Sequence, residues 1–568
     1  MKDIKARTQQ VLKDRILAAL KKAIEEKTIA VSEIPDFYLE VPQDPGHGDF
    51  AANIAMLMAR EARMPPRKIG EFIAANLDTS GTPVEKVEVA GPGFINFYLK
   101  PTWANVVIFD ILKRGQDYGR QELGGGRKVQ VEFVSANPTG PMHMGNARGA
   151  ALGDALSSVL KLSGYDVTKE FYINDAGNQI ENFGLSLEAR YLELLGQEGH
   201  IPEGGYHGED IKDHMRNLIE EEGNRFLYMD SPSRRAYFIE YALKKNIQCM
   251  KQDLLNFGVH FDIWFSEQSL HDAGKVNEVI NLLKQKGYTY EKDGALWFKA
   301  SEFGAGKDEV LIRANGLPTY FASDIAYHKD KFDRGFEWVI DIWGADHHGH
   351  VARVKGALKA LGYDPDRLTV ILMQLVRLYR NGEIARMSKR TGRAVTLADI
   401  VEEVGKDAAR FFFNMRSADT HLDFDLDLAI KQSDENPVYY VQYAHARICS
   451  ILRQASEQGI SLPEMDTLAP ALLEKYALLL TEKNEIDLIK KLSDFPGEIR
   501  LAAENLSPYR VTNYCMELSS TFHSFYNSCR VLTDDADLTA ARLLLVMAVR
   551  QVLKNAFAIL GISAPERM

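Results

Sequence analysis

Between residues 129 and 173 the hydrophobic period of the chain changes twice, and this stretch limits the fold more than any other. "VQVEFVS" alternates, with Val129, Val131 and Phe133 on one face, as a strand does. A helical pattern runs from about His143 to Ser163 and stops at Gly164, and "DVTKEFYI" then reads as a second strand. Strand, helix and strand in so short a stretch make a βαβ unit, which implies a parallel sheet and a right-handed crossover. The turn between them, "SANPTGPMHMGNARGA" at 135–150, packs two Pro, three Gly, a His and two Asn. Ligands of parallel sheets bind beyond the carboxyl ends of the strands, where this turn falls. A helix N-terminus there offers N–H groups and a positive dipole end to phosphate. Gly140, Gly145, Ala147 and Gly149 are small enough to let a nucleotide approach the backbone.

The 568 residues suffice for three or four domains at roughly 100–200 residues each. Ile4, Val11, Ile16, Leu20 and Ile24 recur at roughly helical spacing, and "GHGDFAANIAMLMAREA" reads as a loop entering another helix. "KVEVAGPGFINFYL" reads as two short strands around a Gly-Pro-Gly turn. "LGGGRK" at 123–128 punctuates the chain like a linker. From Asn436 onward the pattern is helical throughout, with runs such as "RLLLVMAVRQVLKNAFAIL" ending at Gly561. The expected architecture is therefore α/β and multidomain: an N-terminal α+β domain (1–118), a Rossmann-like parallel-sheet domain (119–435) and a C-terminal all-α helical bundle (436–568).

Composition narrows the function. The N-terminus is too charged for a signal-peptide core, and the apolar stretch 543–549 is far short of the ~18 residues of a membrane span, so a cytoplasmic protein without a membrane partner is expected. Cys249, Cys449, Cys515 and Cys529 are scattered without a C-x-x-C pair, as buried thiols would be. A formal charge of −11 argues against indiscriminate coating of nucleic acid but leaves room for a local basic groove. "VRLYRNGEIARMSKRTGRAV" is such a stretch, with Arg377, Arg380, Arg386, Lys389, Arg390 and Arg393 against one acid, Glu383. A basic run by itself is explained by a solvated loop, and His143 by itself by a helix cap or a core histidine. No G-x-x-x-x-G-K-[ST] or G-x-G-x-x-G motif provides another phosphate site; "GAGKDEV" at 304–310 lacks the first glycine and the hydroxyl residue.

His143 opening a helix after a strand, followed much later by "RMSKR" in a basic loop, resembles the class I aminoacyl-tRNA synthetases. The chain is similar in particular to the bacterial-type arginyl-tRNA synthetases, through "VPQDPGHGDFAANIAMLMA", "VEFVSANPTGPMHMGNARGA", "FYINDAGNQI", "LPTYFASDIAYHKDK", "WGADHHGHV", "RMSKRTG", "NPVYYVQYAHARICSIL", "FHSFYNSCRVL" and the terminal "APERM". Two positions depart from the family pattern: Asn146 stands where a second His is usual, and Arg386 where Lys is. Asn can still donate to a phosphate or ribose oxygen, and Arg keeps the charge.

The resemblance implies an arginine–tRNA ligase using ATP, Mg²⁺, L-arginine and tRNA(Arg), and acting as a monomer. His143, Asn146 and Lys389 would be catalytic, and His143, Gly145, Asn146, Met387, Ser388, Lys389 and His347 would bind ATP. Tyr320 and Asp324, four apart on one helical face, would contact the guanidinium, and Glu132 and Asn137 the α-amino and carboxylate end. Without the family, Asp324 reads equally well as a surface carboxylate paired with Lys329 or Lys331. "GADHHGH" carries metal-ligand residue types, but adjacent histidines often point apart, so no metal site is assigned. Tyr439, Tyr443 and Arg447 in "VYYVQYAHARI" would bind tRNA, since aromatics interleaved with Arg suit unstacked loop bases. The N-terminal domain would read the tRNA elbow. A small-molecule nucleotidyltransferase would leave both flanking domains without a purpose, and a non-catalytic RNA-binding relative would have no use for His143 and Lys389.

Overall fold

The computed structural model describes residues 4–42, 44–385, 395–461 and 470–568. Five parallel strands lie at its centre in the order Leu368–Met373, Trp338–Gly344, Lys128–Glu132, Asp166–Ile173, Ile263–Ser266. The strand Lys128–Glu132 comes first in the chain yet sits in the middle, so the chain winds outward from it in both directions. The carboxyl ends on its two sides diverge into a crevice, the switch point at which doubly wound sheets bind ligands. The strand is covered on both faces, and Gln130 is as fully buried as Val129 and Val131, as a central parallel strand should be.

The helix Met144–Leu162 leaves this strand, packs on the sheet and ends at Gly164, whose φ is +86°. Its close approach depends on Gly153: a Cβ there would lie 2.2 Å from the ring of buried Phe133. The glycines at 124–126 serve contact rather than linkage. Gly124 N–H donates to Ser163 O (2.9 Å) and Gly126 N–H to Gly164 O (2.8 Å), and a Cβ on Gly124 would strike Tyr165.

The N-terminal unit pairs strands Leu39–Glu40, Phe50–Ala52, Phe94–Leu99 and Val84–Ala90 antiparallel beneath the helix Ile4–Glu25. That helix is rotated from the expected face: Thr8, Leu12, Ile16, Ala19, Leu20 and Ala23 are buried, while Val11 is exposed. Between the second and third strands of the sheet lies a helical lobe spanning residues 178–256, with its own core of Phe183, Leu187, Tyr191, Met215, Phe226 and Phe238. The C-terminal helices Pro437–Glu457, Pro470–Leu479, Lys483–Glu504, Tyr509–Ser528 and Ala536–Leu560 form a bundle. Ala536–Leu560 is, among the described residues, the one helix long and apolar enough to cross a membrane, but 72% of its most apolar window is buried inside the protein. Arg542 and Arg550 interrupt its apolar run in sequence. Of the four cysteines Cys249 is exposed, contrary to expectation, because it lies on the outer face of the lobe helix Ser231–Asn256; the other three are buried.

Alanine replaces glycine favourably in most helix interiors, by up to ~1 kcal/mol. Gly153→Ala should do the opposite and destabilise the protein by about 1–3 kcal/mol through overpacking against Phe133. Thermal unfolding of the variant checks this, and an unchanged or raised Tm would count against the packing described.

Candidate active site

The chain leaves the strand Lys128–Glu132 through two residues with left-handed backbone, Val134 (φ +70°) and Ser135 (φ +42°). Such a conformation in a β-branched residue costs on the order of 1–3 kcal/mol and persists only where surrounding contacts impose it. Ser135 Oγ supplies two of those contacts, donating to Glu132 Oε1 (2.8 Å) and accepting from Tyr172 N–H (3.2 Å). The bend turns Asn137 into a cleft of about 1060 Å³ at the switch point, lined also by Gly140, His143, Gly145, Asn146, Gly344, His347 and the segment 373–378.

His143 is the N-cap of the helix Met144–Leu162, and its backbone N–H donates to Asn146 Oδ1 (3.0 Å). The capping and ligand-facing readings of His143 therefore coexist. Asn146 turns its oxygen back on the helix end, which leaves its Nδ2 as the group able to donate into the cleft. Desolvation by the cleft walls lowers the His143 pKa, so at neutral pH the ring is an uncharged donor. The preceding residue is tied across the cleft mouth, where Met142 O accepts from Leu397 N–H (2.9 Å).

Tyr320 opens the helix Tyr320–Asp333, and Asp324 follows one turn later. Asp324 pairs with neither Lys329 nor Lys331; its Oδ2 lies 2.7 Å from His350 Nε2. His350 in turn neighbours Tyr320, Trp343 and His347, at ring separations of 6.0, 5.6 and 6.4 Å. The GADHHGH segment thus joins Tyr320 and Asp324 to the cleft rim. Behind them lies Glu267, whose pKa is raised to about 7 by burial and by the nearby charge of Asp324. The buried hydroxyl of Tyr172 lies within this acidic group without a well-formed hydrogen bond.

Glu132 does not face the cleft as a free carboxylate. It is 5% exposed, and its Oε2 accepts from Lys331 Nζ (2.6 Å), which also reaches Asp341 Oδ1 (2.7 Å) on the next strand. Burial opposes the charge on Lys331, but Asp341, Glu132 and Glu170 outweigh it and its pKa is raised. A carboxylate fixed in this way positions its surroundings rather than lending itself to a ligand.

The basic stretch is less basic than its sequence implies. Arg377 pairs with Asp423 in the adjoining parallel strand, and Arg380 pairs with Glu403. Arg386, Met387, Ser388, Lys389, Arg390 and Arg393 lie outside the described residues. In the bundle, the rings of Tyr439 and Tyr443 stack at 6.1 Å, and Arg447 lies 4.6 Å over Tyr443 and 4.8 Å over Tyr526. Tyr206 of the inserted lobe, Glu267 and Tyr172 escape the reading from sequence, and His350 enters it only as a metal-ligand residue type of GADHHGH. Glu267 stands directly after the strand Ile263–Ser266, near a carboxyl end of the parallel sheet as Glu132 is.

Comparison with known proteins bears on the whole chain. Residues 10–99 match the arginyl tRNA synthetase N-terminal domain, residues 107–428 the catalytic domain of class I (R) tRNA synthetases, and residues 441–568 the DALR anticodon binding domain. The chain is 59% identical to an arginine–tRNA ligase of Caldanaerobacter subterraneus subsp. tengcongensis, over 100% of both chains. It is 56% identical to that of Acetivibrio thermocellus, over 100% of this chain and 99% of the relative. Its fold resembles Thermus thermophilus arginyl-tRNA synthetase with a TM-score of 0.72 at 23% identity, covering 99% of this chain and 100% of that one. With a switch-point cleft, a His-capped helix at its mouth and family matches along its length, the chain belongs to the arginyl-tRNA synthetases of class I.

Proposed function

We propose that the switch-point cleft is where this arginine–tRNA ligase joins L-arginine to ATP and then passes arginine to tRNA(Arg). The observation that carries the assignment is the N-terminus of the helix Met144–Leu162, with His143 and Asn146 lining the cleft. In the first step an arginine carboxylate oxygen attacks the α-phosphorus and the bond to pyrophosphate breaks. In the second a hydroxyl of the terminal ribose attacks the arginyl carbonyl and AMP leaves. Both depend on positioning and on neutralising charge at phosphate oxygens. His143 and the Nδ2 of Asn146 donate to those oxygens, together with Lys389 of the RMSKR motif; Gly145, Met387, Ser388 and His347 complete the ATP contacts.

Arginine lies with its α-carboxylate toward Asn137 and its guanidinium toward Tyr320, Asp324 and Glu267. The pKa of Glu267, raised to about 7 by burial and by Asp324, supports this reading, since a buried carboxyl beside a second acid suits a planar cation. Glu132 contributes by fixing Ser135 and the turn. Mg²⁺ enters with the nucleotide substrate, since it commonly rides on substrate phosphates. We further assign the stacked Tyr439, Tyr443 and Arg447 to tRNA bases, the N-terminal domain to the tRNA elbow, and the three-domain division to 1–118, 119–435 and 436–568. A monomer acting in the cytoplasm completes the reading.

Arginine-dependent exchange of pyrophosphate into ATP, measured with and without tRNA and with each amino acid in turn, tests the assignment; exchange with arginine alone is expected. His143→Ala and Lys389→Ala should each slow adenylate formation at least about tenfold, or ~1.4 kcal/mol. Near-normal rates in both would remove the cleft from the chemistry. Glu267 is largely protonated below pH 7 and ionised above it, and a guanidinium binds the ionised form, so the KM for arginine should fall about tenfold from pH 6 to pH 8. Glu267→Gln should flatten that profile; the same slope in the variant would assign the titration elsewhere.

A further inference from the structure

We propose that Asn246 is a positioning residue of the cleft, pinning the midpoint of the turn that carries Asn137 and His143, and that His214 holds it in place. Asn246 lies on the lobe helix Ser231–Asn256 and is 8% exposed. Its Nδ2 donates to Pro138 O (2.8 Å), and its Oδ1 lies 2.7 Å from His214 Nε2 on the helix Glu209–Glu222. The orientation follows from chemistry: a carbonyl only accepts, so the amide nitrogen faces Pro138, and the oxygen facing His214 requires a proton on Nε2.

The turn needs such a fixing point. It is held at one end by the contacts of Ser135 and at the other by Met142 O with Leu397 N–H. Between them the Asn246 contact is the single hydrogen bond to the turn among the described residues. Pro138 follows Asn137 directly and its ring fixes φ, so a shift of the 138–139 peptide, which holds its carbonyl, is passed to Asn137 through a stiff link. Misplacement of a reacting group by about 1 Å costs about a hundredfold in rate. The lobe therefore does more than decorate the sheet: its one buried amide sets where the turn lies, while its Tyr206 lines the same cleft.

Asn246→Asp keeps the shape and the His214 partner but points an oxygen at the Pro138 carbonyl. It should lower kcat for pyrophosphate exchange at least about tenfold, with tRNA binding within about twofold of wild type and melting temperature within a few degrees. Asn246→Ala should behave alike. His214→Ala should give a smaller loss in the same parameter, and that loss should vanish in the Asn246→Ala background, as coupled neighbours require. Exchange within about twofold of wild type in Asn246→Asp would overturn the proposal. So would additive losses in the double variant, or losses that track melting temperature across the three variants, which is what a purely structural docking contact would give.

Discussion

The amine of Lys331 is fully buried between Glu132 and Asp341, which sit opposite one another on the two strands flanking the switch point. Glu170 lies beside Glu132 on the next strand, paired with Arg334, and His328 Nε2 is 2.8 Å from Asp341. Three buried acids in adjacent strands would repel one another without Lys331 and Arg334. Removing one partner of such a group typically costs about 3–5 kcal/mol, because an unpaired charge is left in low dielectric. The pairing also has a local consequence. With Oε2 held by Lys331, Glu132 presents Oε1 to Ser135, and that bond helps sustain the strained Val134–Ser135 bend. The direction in which the signature turn leaves the sheet therefore depends on a lysine 199 residues away.

Two opposite treatments of charge meet at the cleft. On one side lie a helix N-terminus and His143, whose pKa is lowered by desolvation, donors that need no counter-ion of their own. On the other, burial and the charge of Asp324 raise the pKa of Glu267 to about 7, which lessens the cost of holding two acids at close range. Arg148, fully buried in the helix Met144–Leu162, donates to Gln374 O, Ser417 O and Thr420 O, and so joins this helix to the segment that leads toward the basic motif.

What could be read from sequence was whatever shows in local periodicity. The change from alternation to helical spacing after Phe133 gives the βαβ unit, the strand "DVTKEFYI" has the observed limits Asp166–Ile173, and the four-residue spacing of Tyr320 and Asp324 is helical as expected. Errors lie where a residue's role depends on a partner remote in sequence. Lys331 looked like a surface lysine because nothing nearby marks it as buried. Glu132 looked like a ligand because its internal cation comes from another layer. Arg377 and Arg380 looked free because Asp423 and Glu403 arrive on later elements. The glycines at 124–126 looked like a linker because the close approach of Gly124 to Tyr165 has no sequence signature.

A second buried cation explains how the flanking parts share the signature helix. Arg410 donates through Nε to Leu560 O at the end of the last bundle helix (2.7 Å), and through Nη1 to Phe257 O and Gly258 O just beyond the lobe helix (both 3.2 Å). Its Nη2 reaches Asp154 of the signature helix (2.5 Å), which also accepts from Lys169 of the neighbouring strand. Gly561 must be glycine for this to fit, since its φ is +65° and a Cβ would lie 2.3 Å from the guanidinium. One planar group with a fixed fork of donors gathers the carbonyls of two helix ends and a carboxylate from the middle of a third helix. A movement of the bundle or of the lobe relative to the sheet must therefore either carry the signature helix with it or break hydrogen bonds to a buried cation, and the second course is much the costlier.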